Sequence, residues 1–276
     1  MRTMLFAVAA TLVAGMALAA PPDALLADWQ GWRERRLAGL KRPQGWLALV
    51  GLHWLEPGEN RLKDLPGHFV VSGGGVRLRA AAQDGYTVGG APATDRALAV
   101  DGEERLERGT VAIAVIRRGD RLALRVWDSA SPLRTAFGGI ETFPFEPRWR
   151  VTARWEPFAT PRRVEQPTAL GTVEPVELPG RAVFTVDGKD YALTPTQDGD
   201  ELFFVFKDRT APRETYGAGR FLVAAAPRDG AVILDFNRAY NPPCAFTPFA
   251  TCPLPLPENV LPIRVEAGER KWGQEH

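Results

Sequence analysis

The 276-residue chain is poor in the side chains that most hydrolases work with. It has three serines, Ser72, Ser129 and Ser131, and three histidines, His53, His68 and His276. No G-x-S-x-G elbow, S-x-x-K pair or H-E-x-x-H run occurs, so serine-hydrolase and zinc-protease chemistry lose their usual footing. A Walker loop and a dinucleotide fingerprint within a βαβ unit are also missing; "SGGGV" (72–76) and "YGAGR" (216–220) read as glycine turns. There is no excess of one charge. The formal net charge is +1, with acidic and basic residues interspersed, which leaves no electrostatic footprint for nucleic acid or an anionic membrane surface.

The two cysteines, Cys244 and Cys252, are separated by seven residues. That gap is wider than the two to four residues usual between the ligands of a structural zinc site. A site drawing on them with His53 and His68 is therefore disfavoured, and neither a metal nor a cofactor is expected.

The longest apolar run is confined to the first twenty residues, "MRTMLFAVAATLVAGMALAA". One arginine, an apolar stretch and Ala17-Leu18-Ala19 form the n-region, h-region and cleavage site of a secretory signal. Residues 1–19 are thus expected to be a signal peptide, and 20–276 a mature chain in the periplasm or outside the cell, with no membrane segment after signal removal. Losing Arg2 takes the net charge from +1 to 0. In an oxidising compartment Cys244 and Cys252 are expected to form a disulfide, which by chain entropy stabilises by about 2.6 kcal/mol.

Residues 23–41 place Leu25, Leu26, Trp29, Trp32, Leu37 and Leu40 at helical spacing, with Asp23 as the start signal. This is one N-terminal amphipathic helix, read as a lid on the core in preference to a membrane-surface element. Beyond it the helical period gives way to short alternating runs such as "TVAIAVIRRGDRLALRVWD", "RAVFTVDGKDYALTP" and "RFLVAAAPRDGAVILDF". Turn pairs punctuate them at Gly119-Asp120, Asp187-Gly188, Asp198-Gly199 and Asp229-Gly230. The fold class is all-β, an antiparallel sandwich or barrel. "FPFEPRW" (143–149) and "EPFATPRRVEQP" (156–167) interrupt the pattern, so the single β-rich domain has two sheet-rich halves meeting near 143–170.

The final strand, "AVILDF", runs into a stretch from Asp235 to Pro262 that holds seven prolines, three of the four asparagines and both cysteines. A hairpin turning at Pro227–Gly230 would bring the glycine loop at 214–220 and the proline loop at 235–244 to one end of a sheet. Asp235, His53 and Glu214 are the candidate catalytic groups. Tyr216, Arg220, Asn237, Arg238, Tyr240 and Asn241 would bind a polar or anionic small molecule. The plain alternative is that Asp235, Asn237 and Asn241 cap the backbone of a rigid clamp, and that Arg220 pairs with Asp235. His53, among apolar neighbours, is more simply a core residue. A hydrolase, a non-catalytic binding module and an envelope-associated structural protein all remain open.

"GWLALVGLHWLEPGEN", "RETYGAGRFL" and "LDFNRAYNPPCAFTPFATCPLPLPENVLPIRVEAGE" closely resemble the bacterial domain-of-unknown-function family 1684. The resemblance runs from Trp29 to about Glu269 and is strongest in the last segment. It implies one unit spanning both halves, and it brings no catalytic assignment.

Overall fold

The computed structural model describes residues 21–273. The signal peptide expected at 1–19, and His276, lie outside the described residues.

A helix, α1 (Pro22–Leu40), opens the fold. Asp23 lies in its first turn without capping it; Pro22 holds the first helical position, where a missing N–H costs nothing. Trp29 and Leu40 are buried, while Leu25, Leu26, Trp32 and Leu37 are half-buried, so the helix lies as a lid. Among the described residues no helix is long and apolar enough to cross a membrane.

The first half contains β1 (Leu49–Leu55), β2 (Gly58–Leu62), β3 (Leu65–Ser72), β4 (Gly75–Arg79), β5 (Thr87–Val88), β6 (Ala91–Pro92), β7 (Asp95–Leu98), β8 (Leu106–Arg108), β9 (Val111–Arg118) and β10 (Arg121–Asp128). They form a six-stranded sheet, β1-β10-β9-β8-β5-β6, and a four-stranded sheet, β2-β3-β4-β7. Phe69 and Leu78 from one sheet meet Ile113, Leu124 and Val126 from the other in a buried apolar core. Alternation then places Arg121, Ala123, Arg125 and Trp127 on the opposite face of β10.

A short helix, α2 (Pro132–Thr135), leads into the second half. This contains β11 (Arg150–Pro167), β12 (Val173–Val186), β13 (Lys189–Leu193), β14 (Thr196–Asp198), β15 (Glu201–Phe206), β16 (Arg220–Ala225) and β17 (Ala231–Asp235). One sheet runs β13-β12-β11-β17 and the other β14-β15-β16. Between them pack Trp149, Phe184, Phe204, Phe206, Leu222, Leu234 and Phe236. The all-β, antiparallel expectation is met.

Two expectations fail here. Residues 156–167 do not interrupt the sheet but belong to β11. The ladder with β12 steps from Pro157–Gly180 to Arg162–Leu178, and this bulge absorbs the prolines that cannot donate to it. The turn Asp229-Gly230 forms, with φ of 51° and 74°, but the strands it joins do not pair as a hairpin. β16 pairs with β15, while β17 pairs with β11, Asp235 opposite Arg150. Leu222 and Ala224 instead face Val232 and Leu234 across the core, so the connection arches from one sheet to the other.

Candidate functional site

Although the ladder is absent, the two loops do meet. Phe221 and Tyr240 exchange backbone hydrogen bonds of 2.9 Å, and the Tyr216 hydroxyl donates to the Cys244 carbonyl at 3.0 Å. What they build is mostly structure. Asp235 Oδ1 accepts from the Asn237 backbone N–H (3.2 Å) and from its Nδ2 (3.0 Å), capping a short helical turn. Asn237 also clasps the Glu146 backbone through both side-chain atoms, and its carbonyl accepts from the Trp29 indole at 2.8 Å. The Asn241 N–H donates to the buried Glu269 carboxylate at 2.7 Å, and its Nδ2 to the Arg270 carbonyl at 2.7 Å.

Arg220 does not pair with Asp235. It is fully buried against Asp208 (3.3 Å) and donates to the carbonyls of Val265 (2.9 Å) and Ala267, with Phe206 beneath its guanidinium. Burial pulls its pKa down, and Asp208 opposes that shift. The Asp208 carboxylate is completed by Thr210 (2.8 Å) and the Val265 N–H (2.6 Å). Glu214 pairs with Arg264. His53 lies on β1 opposite Leu124, in the other half of the molecule. The three catalytic candidates are therefore not assembled.

Two of the expected binding residues, Arg238 and Tyr240, open onto a cleft of about 600 Å³ beneath α1. Trp32, Arg35 and Arg36 come from the helix, Trp46 from the turn that follows, Glu201, Phe203, Phe221 and Val223 from β15 and β16, and Pro243 from the proline loop. None of Asp235, His53, Glu214, Tyr216, Arg220, Asn237 and Asn241 lines it. Arg36 joins the lid to the loop: its Nε meets Glu269 at 3.0 Å, its Nη2 donates to the Asn241 carbonyl at 2.9 Å, and it stacks 4.7 Å over Tyr240. Arg238 is held by Asp28 and by Asp235. The side chains of Arg35 and Glu201 make no hydrogen bond or ion pair among the described residues. Burial raises the Tyr240 phenol to about 12, so it stays neutral in ordinary buffers.

A family model described as "Protein of unknown function (DUF1684)" matches residues 135–270. The chain belongs to this family. It is also similar to an uncharacterised protein of Haloarcula marismortui solved in solution by NMR, at 31% identity, over 50% of this chain and 78% of that one, with a TM-score of 0.41. No curated protein matches.

The DUF1684 match includes β15, β16 and the proline loop, and so takes in the floor of the cleft; α1 and Trp46 precede it. Within the match, Cys244 and Cys252 are free thiols, contrary to the disulfide expectation. The Cys252 sulfur serves as acceptor for the Cys244 backbone N–H at 3.1 Å instead of bonding to the other sulfur. The hydrogen bond with Cys252 lowers the Cys244 thiol's pKa, burial opposing and the Tyr216 hydroxyl assisting, and the same contact pushes the Cys252 thiol up. Among the described residues no group of three or more His, Cys, Asp or Glu is placed to hold a metal ion. Sequence reasoning missed Trp32, Arg35, Arg36, Trp46, Glu201 and Phe203 as lining residues. The tryptophan-rich helix was the available signal, but where it docks depends on contacts across some 200 residues.

Proposed function

We propose that this domain is a binding module for a small organic acid with an apolar body, seated in the cleft beneath α1. The observation that carries the reading is the pairing pattern within one aromatic-walled cleft. Arg36 and Arg238 are already neutralised, and Arg35 keeps a guanidinium free to meet a carboxylate. Trp32, Trp46 and Phe203 offer flat apolar surface to the rest of the ligand. Binding is preferred to hydrolysis because Asp235 and Glu214 are engaged in local contacts and His53 is remote.

A thermal-shift screen of small carboxylates on residues 20–276 tests this, alongside Arg35→Gln. The expected result is a rise in melting midpoint with aromatic acids that Arg35→Gln abolishes. Equal rises in both proteins would refute the cleft as the site.

Export is proposed from residues 1–19. Protein recovered from a periplasmic fraction should begin at Ala20; an intact Met1 terminus there would contradict it.

A further inference from the structure

The outer face of β10 carries a cation that makes no ion pair or side-chain hydrogen bond among the described residues. Arg125 is half-buried, its Cζ 5.4 Å from the Trp46 ring centroid and 5.9 Å from that of Trp127, and its Nε is buried with no hydrogen-bond partner. A desolvated charge with no ion-pair partner is costly, so such a residue is a site candidate.

The surroundings add positive charge. Arg125 sits opposite Ala114 on β9, which is buried with Ala48, Leu49 and Trp127 under Trp46 and Phe249, so Arg125 lies at the edge of a covered patch. On the other side of β9, the pairing of Leu106 with Ile113 brings Arg105 alongside Ala114. Strands two apart are about 10 Å apart, within the joint reach of two arginine side chains. Arg105 also lies against Trp127, its Cζ 5.5 Å from that centroid. Arg118 approaches from the far end of β9, anchored on Thr251 at 3.3 Å. Arg105 is oriented by Gln44 (3.1 Å) and the Gly102 carbonyl (2.7 Å). None of the three makes an ion pair with a carboxylate among the described residues. Two acidic groups lie nearby without pairing with them: Asp101, whose charge favours the Arg125 cation and whose Oδ1 accepts from the Arg117 backbone N–H, and Glu107, in the row of Ala112 and Trp127. Burial, then the charge of Arg118, lowers Arg125 to about 10, which leaves it cationic at neutral pH.

We propose that Arg105, Arg118 and Arg125, walled by Trp46 and Trp127, bind a tetrahedral oxyanion: phosphate, either free or as the head of a small phosphomonoester. Three guanidiniums that make no ion pair call for more than a single negative charge, and their forked donors match phosphate oxygens. This site is distinct from the organic-acid cleft, although Trp46 belongs to the walls of both.

The test is calorimetric titration and thermal shift of residues 20–276 with inorganic phosphate and phosphoethanolamine, against chloride and acetate at equal ionic strength. Phosphate should bind saturably and raise the midpoint, whereas chloride and acetate should not. Arg125→Met should weaken binding at least tenfold and Arg118→Gln severalfold, while Arg35→Gln, in the cleft, should bind as wild type. If Arg125→Met fails to fold, Arg105→Gln takes its place with the same expected loss. Similar affinities for the two phosphates would identify the free ion as sufficient; much tighter phosphoethanolamine binding would identify a phosphomonoester. No phosphate-specific effect, undiminished binding in the β9–β10 variants, or loss in Arg35→Gln would each overturn the proposal.

Discussion

Arg220 and Arg125 are both drawn out of solvent, one in each half of the molecule, and their surroundings are opposite. Arg220 has a carboxylate, two carbonyls and an aromatic ring fitted around it. Arg125 has two indoles and further arginines, with Asp101 near but not bonded to it. A buried charge met by complementary groups belongs to the architecture, and removing its partner exposes the full desolvation cost. One left unmet is a standing cost to stability that a ligand could relieve. In the cleft, Arg36 and Arg238 are paired, whereas Arg35 is exposed and its side chain makes no ion pair among the described residues.

This contrast can be broken by mutation. The largest effect is expected from Asp208→Ala, which strands Arg220 in the core and should cost about 3–5 kcal/mol in urea unfolding; a loss below about 1 kcal/mol would mean that the carbonyls alone suffice. Arg36→Met comes next. It leaves Glu269 without its ion pair and the Asn241 carbonyl without a donor, for an expected loss of about 1.5–3 kcal/mol by the same method. The smallest effect is reserved for Arg125→Met, which removes a charge with no ion-pair partner and keeps an apolar stem between the indoles. In phosphate-free buffer its stability should match or exceed that of wild type within about 1 kcal/mol. A loss as large as that of Asp208→Ala would erase the distinction between the two arginines.

How far the sequence could be read follows the range of the interactions involved. Local chemistry was legible. Asp187-Gly188 has φ of 49° and 73°, the paired positive values of a tight hairpin turn, and it joins β12 to β13. The reading of Asp235, Asn237 and Asn241 as backbone caps was also available from Asn and Asp beside proline, and their hydrogen bonds have that form. Layer assignment was not legible. Alternation shows which face of β16 and β17 is buried, yet the same pattern serves strands side by side in one sheet or stacked across a core. The prolines of β11 misled for a related reason, since a bulge accommodates them without ending the strand. For the candidate site, the chain pattern reached Arg238 and Tyr240 but not the wall opposite, because α1 and β15 are joined only by tertiary packing. Arg125 reads from sequence as an ordinary outward position between Ala123 and Trp127. Its neighbours, two indoles, other arginines and Asp101, are brought to it by tertiary packing.

The claim that the cleft beneath α1 is the ligand site is tested most directly by the indole N–H resonances of the protein during titration with phenylacetate. Trp32 and Trp46 line the cleft, whereas Trp149 lies in the core of the second half. The account predicts that the Trp32 and Trp46 signals move together and saturably while Trp149 stays fixed. Stationary Trp32 and Trp46 signals across a panel of small aromatic acids, or movement confined to other tryptophans, would contradict it.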